Sequence, residues 1–124
     1  MAKLTKEQLA KRLQDCRGDY ERLKARIREV GFTCDGSLVV RWMVCGKPNC
    51  RCREDPAKRH GPYYQLSWKE QGTTVSRRLS PHQARLYQEW IHNRRLLESI
   101  LAQMRVVSRK AGDCILRTTP APQS

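Results

Sequence analysis

Residues 36–79 read GSLVVRWMVCGKPNCRCREDPAKRHGPYYQLSWKEQGTTVSRRL, and the fold turns on this stretch. Its two ends alternate and its middle does not. Leu38, Val40, Trp42 and Val44 fall on one side of an extended chain, and Val39, Arg41 and Met43 on the other. That period of two is the mark of a half-buried strand. Tyr64, Leu66 and Trp68 repeat it after Gly61-Pro62, and Val75 and Leu79 repeat it again after the turn Lys69-Glu70-Gln71-Gly72. Alternating runs joined by a short Gly-containing turn predict a hairpin. The cysteine-rich segment Cys45–Cys52 interrupts the first strand's path to the second.

Outside this stretch the period changes. Upstream, Leu9, Leu13, Cys16, Tyr20, Leu23, Ile27 and Val30 recur at spacings of 4 and 3, a heptad seam of the coiled-coil type. Thr5 and Gln8 predict a capping box, Gly18 weakens the middle, and Gly31 offers a stop, giving a helix over about 5–30. Downstream, Ser80-Pro81-His82-Gln83 opens a second helix over about 81–109. Its stripe of Leu86, Tyr87, Trp90, Ile91, Leu97, Ile100, Leu101, Met104 and Val107 is wide enough to cover a sheet at one end and a helix at the other; Asn93 and Arg94 interrupt it. The expected fold is α+β: an N-terminal helix, a three-stranded antiparallel sheet over about 37–79 with a Cys-rich knuckle, and a C-terminal helix. Residues 1–110 are expected to form a single domain, with 111–124 a flexible tail.

Within the knuckle, Cys45, Cys50, Cys52 and His60 have the spacing C-x4-C-x-C-x7-H. Three thiolates and an imidazole are a common structural zinc set, so one zinc per chain is the expected cofactor. Gly46-Lys47-Pro48-Asn49 supplies the turn, and Lys47, Arg51 and Arg53 favour the thiolate form. Against this, the spacing is not the paired C-x2-C pattern, and side chains of an extended C-x-C diverge. The competing reading is three reduced cysteines with His60 capping a turn. Cys16 belongs to the helix seam, and Cys34 and Cys114 look incidental.

The charge is the second clue. The chain carries 25 Lys/Arg against 12 Asp/Glu, a net +13, and residues 37–78 hold nine of the cations against three acids. A field of this sign attracts polyanions, of which nucleic acid, DNA or RNA, is the expected partner. The candidate contacts are Arg41, Lys47, Arg51, Arg53, Lys58, Arg59, Tyr63, Arg77 and Arg78. On the sheet face away from the core, Arg41, Tyr63, Gln65, Ser67, Thr74, Ser76 and Arg78 are placed to meet phosphates and bases, with Tyr63 stacking on an unpaired base. An ordinary solvated face would look the same.

No enzyme is expected. Glu54-Asp55 reads as a solvated pair, and Tyr63-Tyr64 with Arg77-Arg78 lacks the further groups that phosphoryl chemistry needs. The other class is an adaptor whose helix 1 joins a partner helix or a second copy as a homodimer. The N-terminus MAKLTKEQLAKR has no apolar core of a secretory signal and no run spans a membrane, so a reducing cytoplasm is expected, where cysteines favour metal over disulfides.

The runs GSLVVRWMVCGKPNCRC and HGPYYQLSWKEQG, followed by WIHNRRLLESIL, resemble a family of small prokaryotic proteins of unknown function. That family is marked by a CGKPxCxC knuckle, HGPYY, a hairpin and a helix with a YRRL-like segment. The resemblance covers roughly residues 36–104. His92-Asn93 stands where the family often has an aromatic residue before Arg94-Arg95. The resemblance implies a structural unit of bacterial or archaeal origin and no particular activity.

Overall fold

The computed structural model describes residues 3–118. Helix α1 spans Lys6–Arg28, strands β1, β2 and β3 span Ser37–Met43, His60–Glu70 and Thr73–Leu79, and helix α2 spans Pro81–Thr118. Single 3-10 turns at Arg51–Arg53 and Pro56–Lys58 lie between β1 and β2. The α+β order is the one the alternating and heptad patterns predict. By contacts the chain divides into two compact units, Phe32–Arg94 and the residues up to Gly31 with those from Arg95 onward.

Both helices start as their sequences dictate. The Thr5 backbone N–H donates to Gln8 Oε1 at 2.8 Å and Gln8 N–H donates to Thr5 Oγ1 at 3.1 Å. Ser80 and Gln83 repeat the exchange at 2.9 and 3.2 Å ahead of α2. Each box satisfies two backbone donors that a helix N-terminus leaves orphaned. The ends depart from expectation. α1 stops at Arg28, ahead of Gly31, because Glu29 N–H turns back to the Arg26 carbonyl at 3.2 Å and Val30 N–H to Ile27 at 3.0 Å. These tight bonds close the last turn without a left-handed glycine.

α2 continues to Thr118, so residues 111–118 of the expected tail are helical, while 119–124 lie outside the described residues. Cys114 is fully buried there, and Asp113 pairs with Arg117 at 3.2 Å one turn on. An apolar contact so close to its end gives the helix a reason to continue. Cys114, which looked incidental, is a core residue.

The helical unit buries the seam. Leu9, Cys16 and Leu23 of α1 are buried, as are Ile100 and Cys114 of α2. Leu23 shares a cleft with Gln103, Val106 and Val107, and Cys16 shares one with Val107, Ala111 and Ile115. The two segments therefore run antiparallel, and the seam's cover is the chain's own second helix. Gly18 is a weak point in α1. A Cβ there would meet Arg22 Nη1 at 3.5 Å, an ordinary contact with a movable side chain. Gly18→Ala is expected to stabilise the protein by about 1 kcal/mol, read as a higher midpoint in urea.

In the unit spanning Phe32–Arg94, β2 lies between β1 and β3, both antiparallel to it. Glu70 pairs with Thr73 across a two-residue turn, Gln71-Gly72, with φ of 49° and 80°. Positive φ at both positions is the turn whose twist matches a hairpin, and Gly72 takes it at no steric cost. Leu66 and Leu79 pack with Ala84 and Ile91 of α2, flanked by Cys34, Leu38, Tyr64, Trp68 and Tyr87. Asn93 Nδ2 donates to the Phe32 carbonyl at 2.9 Å, and Cys34 N–H donates to Trp90 O at 3.2 Å. The residue that breaks the apolar stripe thus anchors the segment entering the sheet.

One face differs from expectation. Leu38 packs on the core, but Val40, Trp42 and Val44, expected beside it, are exposed by 52%, 56% and 44%. β1 is an edge strand, and a break in register between Arg41 and Met43 ends the alternation at Trp42.

Candidate metal centre and basic surface

Strand pairing brings the ends of the knuckle together. Met43 at the end of β1 pairs with His60 at the start of β2, so Cys45 and His60 leave the sheet side by side. Gly61 permits this closeness. Its φ is +149°, and a Cβ would lie 2.8 Å from the Arg41 carbonyl oxygen and 3.1 Å from the Trp42 ring. No other residue fits between the strands without moving them. The chain between the ends folds back on itself. Cys50 caps the 3-10 turn Arg51–Arg53, and the turn carries Cys52 toward Cys45 instead of letting the two side chains diverge. Arg53 Nε donates to the Lys47 carbonyl at 3.3 Å, and Asp55 Oδ1 accepts from Ala57 N–H at 2.9 Å. Those bonds brace the two short turns.

The result is a cluster of Cys45, Cys50, Cys52 and His60 whose ligand atoms all lie within 4.8 Å of one another. Cys45 Sγ and Cys52 Sγ are 3.5 Å apart, and Cys50 Sγ and His60 Nε2 are 3.2 Å apart. Tetrahedral coordination at bond lengths of about 2.0–2.3 Å separates such atoms by about 3.6–3.8 Å, close to both distances. The donor set and its spacing fit a metal ion. The Cys45 N–H points at Cys52 Sγ from 3.3 Å, the kind of outer-shell donor that orients a thiolate ligand.

Electrostatics divides the thiols. The Cys52 backbone N–H, and after it the His60 ring, pull the Cys50 thiol down to about 6. Burial pushes the Cys52 thiol up, consistent with its 1% exposure. Cys50 is therefore largely ionised at neutral pH, whereas Cys52 needs a cation to deprotonate it.

The cations expected to meet nucleic acid fall into two groups. Lys47, Arg51, Arg53, Lys58 and Arg59 are exposed around the cluster. Among the described residues, no ion pair engages any of them. Arg41, Tyr63 and Arg78 share the polar face of the sheet with Gln65, Ser67, Thr74 and Ser76, as alternation predicts. Arg77 pairs with Leu66 and so projects from the opposite, core-side face, apart from Arg78. Tyr63 is half-buried, and the Arg78 guanidinium lies over its ring at 4.4 Å. The ring face expected to stack on a base is occupied by an arginine of the same chain. Ser67 and Ser76 hydroxyls bond each other at 2.9 Å. In the sequence Gly61 marks only the opening of the second strand; its close approach to β1 and the Tyr63–Arg78 stack both follow from strand register.

Fold and site together define a small α+β protein with a Cys3His cluster set between two strands of an antiparallel sheet. The chain belongs to the family DUF6788, a domain of unknown function, whose match covers residues 6–89. The match takes in all of α1, which the resemblance over 36–104 left out, and ends within α2. No curated protein and no solved structure matches the chain. Among the described residues, no helix is long and apolar enough to cross a membrane.

Proposed function

We propose that this chain is a non-catalytic zinc-knuckle protein that binds nucleic acid, DNA or RNA, with the metal holding a basic loop in shape. The observation that carries the reading is the position of Lys47, Arg51, Arg53, Lys58 and Arg59, all exposed and, among the described residues, without acidic partners, on turns closed by the four-ligand cluster. Cations on a rigid loop lose less entropy on binding than cations on a tail. Zinc is the ion of choice because three thiolates and one imidazole suit it and four protein ligands complete its tetrahedron. No coordination position is then left for water, so the role is structural and not catalytic. Thiolate ligands need reduced cysteines, which supports a reducing compartment, the cytoplasm. The alternative, an adaptor that engages a partner or a second copy through helix 1, has only part of the seam to offer, since Leu9, Cys16 and Leu23 are buried within the chain and Leu13, Tyr20, Ile27 and Val30 are half-buried.

Replacing Arg51 and Lys58 together with Ala tests the reading. Arg53 is spared because it also braces the Lys47 carbonyl. Affinity for nucleic acid is expected to fall, and the slope of log K against log salt to flatten by about one unit per phosphate contact removed. Metal content and melting temperature are expected to stay the same. Absence of binding to duplex DNA, single-stranded DNA and RNA at micromolar protein and low salt overturns the proposal.

A further inference from the structure

A second cationic feature lies on the polar face of the sheet. Arg41, Met43, Tyr63, Gln65, Ser76 and Arg78 line a cavity of about 170 Å³ there, and Arg77, between Ser76 and Arg78 in β3, also borders it. Arg41 is the cross-strand partner of Tyr63, and Gln65 is the partner of Arg78. Tyr63 therefore has an arginine on either side. One of them is held in place, since the Arg78 guanidinium rests on the Tyr63 ring at 4.4 Å. Among the described residues, no ion pair engages Arg41 or Arg78, and no carboxylate lines the cavity.

We propose that this cavity is a binding site for a phosphate monoester, the terminal phosphate of a nucleic-acid strand. The inference deepens the nucleic-acid reading, and rests on it for the identity of the strand. Three features select the ligand. Size is the first: a small cavity of about 170 Å³, open to solvent, has room for a phosphoryl group while the rest of the strand stays outside. Charge is the second. Two guanidiniums match the charge of about −1.5 to −2 on a monoester better than the single charge of a diester along the chain. Donor geometry is the third. Guanidinium forks pair with phosphate oxygens bidentately, and Gln65, Ser76 and Tyr63 belong to the same lining. The cation–π stack holds Arg78 in position before the ligand arrives, which lowers the entropy lost on binding.

The test compares one short oligonucleotide with a hydroxyl at both ends, a phosphate at the 5′ end, or a phosphate at the 3′ end. Affinities are read by fluorescence anisotropy on the full chain. One phosphorylated end is expected to bind about ten-fold tighter than the hydroxyl form, the typical gain from hydrogen bonds to a charged group. Arg78→Gln is expected to remove that preference, so that the three end forms bind the variant with equal affinity, whatever the loss in binding common to all three. Arg41→Gln serves as an independent variant and is expected to do the same. Equal affinity for all three ends overturns the proposal while leaving the nucleic-acid reading standing. If no oligonucleotide binds, titration with inorganic phosphate and with a nucleoside monophosphate, followed by NMR at Tyr63, Gln65 and Arg78, separates the two failures. Shifts confined to those residues retain a phosphate site for a free ligand, and their absence overturns it.

Discussion

Cys52→Ser is expected to strip the metal from the protein and unfold the segment between β1 and β2. Cys52 is the most buried of the four ligands, and the 3-10 turn at Arg51–Arg53 holds it opposite Cys45. Serine offers a hard, protonated oxygen where zinc takes a thiolate. Loss of an outer-shell partner alone costs a metal site about 10–100-fold in affinity, and loss of a ligand is expected to exceed that. Elemental analysis of wild-type protein purified without added metal should return about one equivalent of zinc, and of the variant almost none. Less than about a third of an equivalent in the wild type, with no structural loss on chelation, sinks the zinc assignment. Hydrogen exchange in the variant should rise across residues 44–60 and leave α1 protected, because the helical unit has a core of its own.

The same site fixes the sign of a pH effect. A metal binds only deprotonated thiols, so affinity falls as pH falls. Cys50, lowered to about 6, competes with a proton only at and below that pH. Cys52, raised by burial, gives up its proton to the metal across the neutral range. Proton competition is therefore present at pH 7 and steepens below about 6. Zinc affinity measured by competition with a chromophoric chelator from pH 8 to 5.5 should show that steepening; an affinity independent of pH over this range would mean that the thiolates do not hold the metal.

Ile100→Ala is expected to destabilise the protein by about 2–5 kcal/mol, toward the upper end of that range. Ile100 has no exposed surface, so truncation leaves a sealed cavity instead of a wider cleft. Leu23→Ala should cost less, because Leu23 already borders an open cleft of about 420 Å³ that can absorb the lost volume. Leu116→Ala, at a position 78% exposed, should change stability by less than about 0.5 kcal/mol. Chemical denaturation of the three variants orders them, and equal costs would mean that α2 is not packed as described.

Much of this was legible in the sequence because its signals are local. The caps at Thr5 and Ser80 need only a side chain three residues from its partner, and both helices start there. Alternation over residues 37–79 sorted Leu66 and Leu79 inward and Gln65 and Arg78 outward before any partner was known. The ligand set of the knuckle was readable from residue type, since cysteines and a histidine on a tight turn carry few other roles.

What the sequence could not supply was anything set by a contact between distant residues. Periodicity placed Val40 and Trp42 on the inner side of β1, yet whether that side is covered depends on where α2 crosses, and it covers Leu66 and Leu79 instead. The end of α2 followed the burial of Cys114, not a local stop signal. Tyr63 looks free to stack in one dimension, but strand register puts Arg78 on its ring. The sequence by itself determined which residues can bind metal or face solvent, because residue type and period carry that information. Only the tertiary structure decided which of them meet: a turn at Cys50–Cys52 and a glycine at 61 close the cluster, and both act through backbone geometry that no residue pattern records.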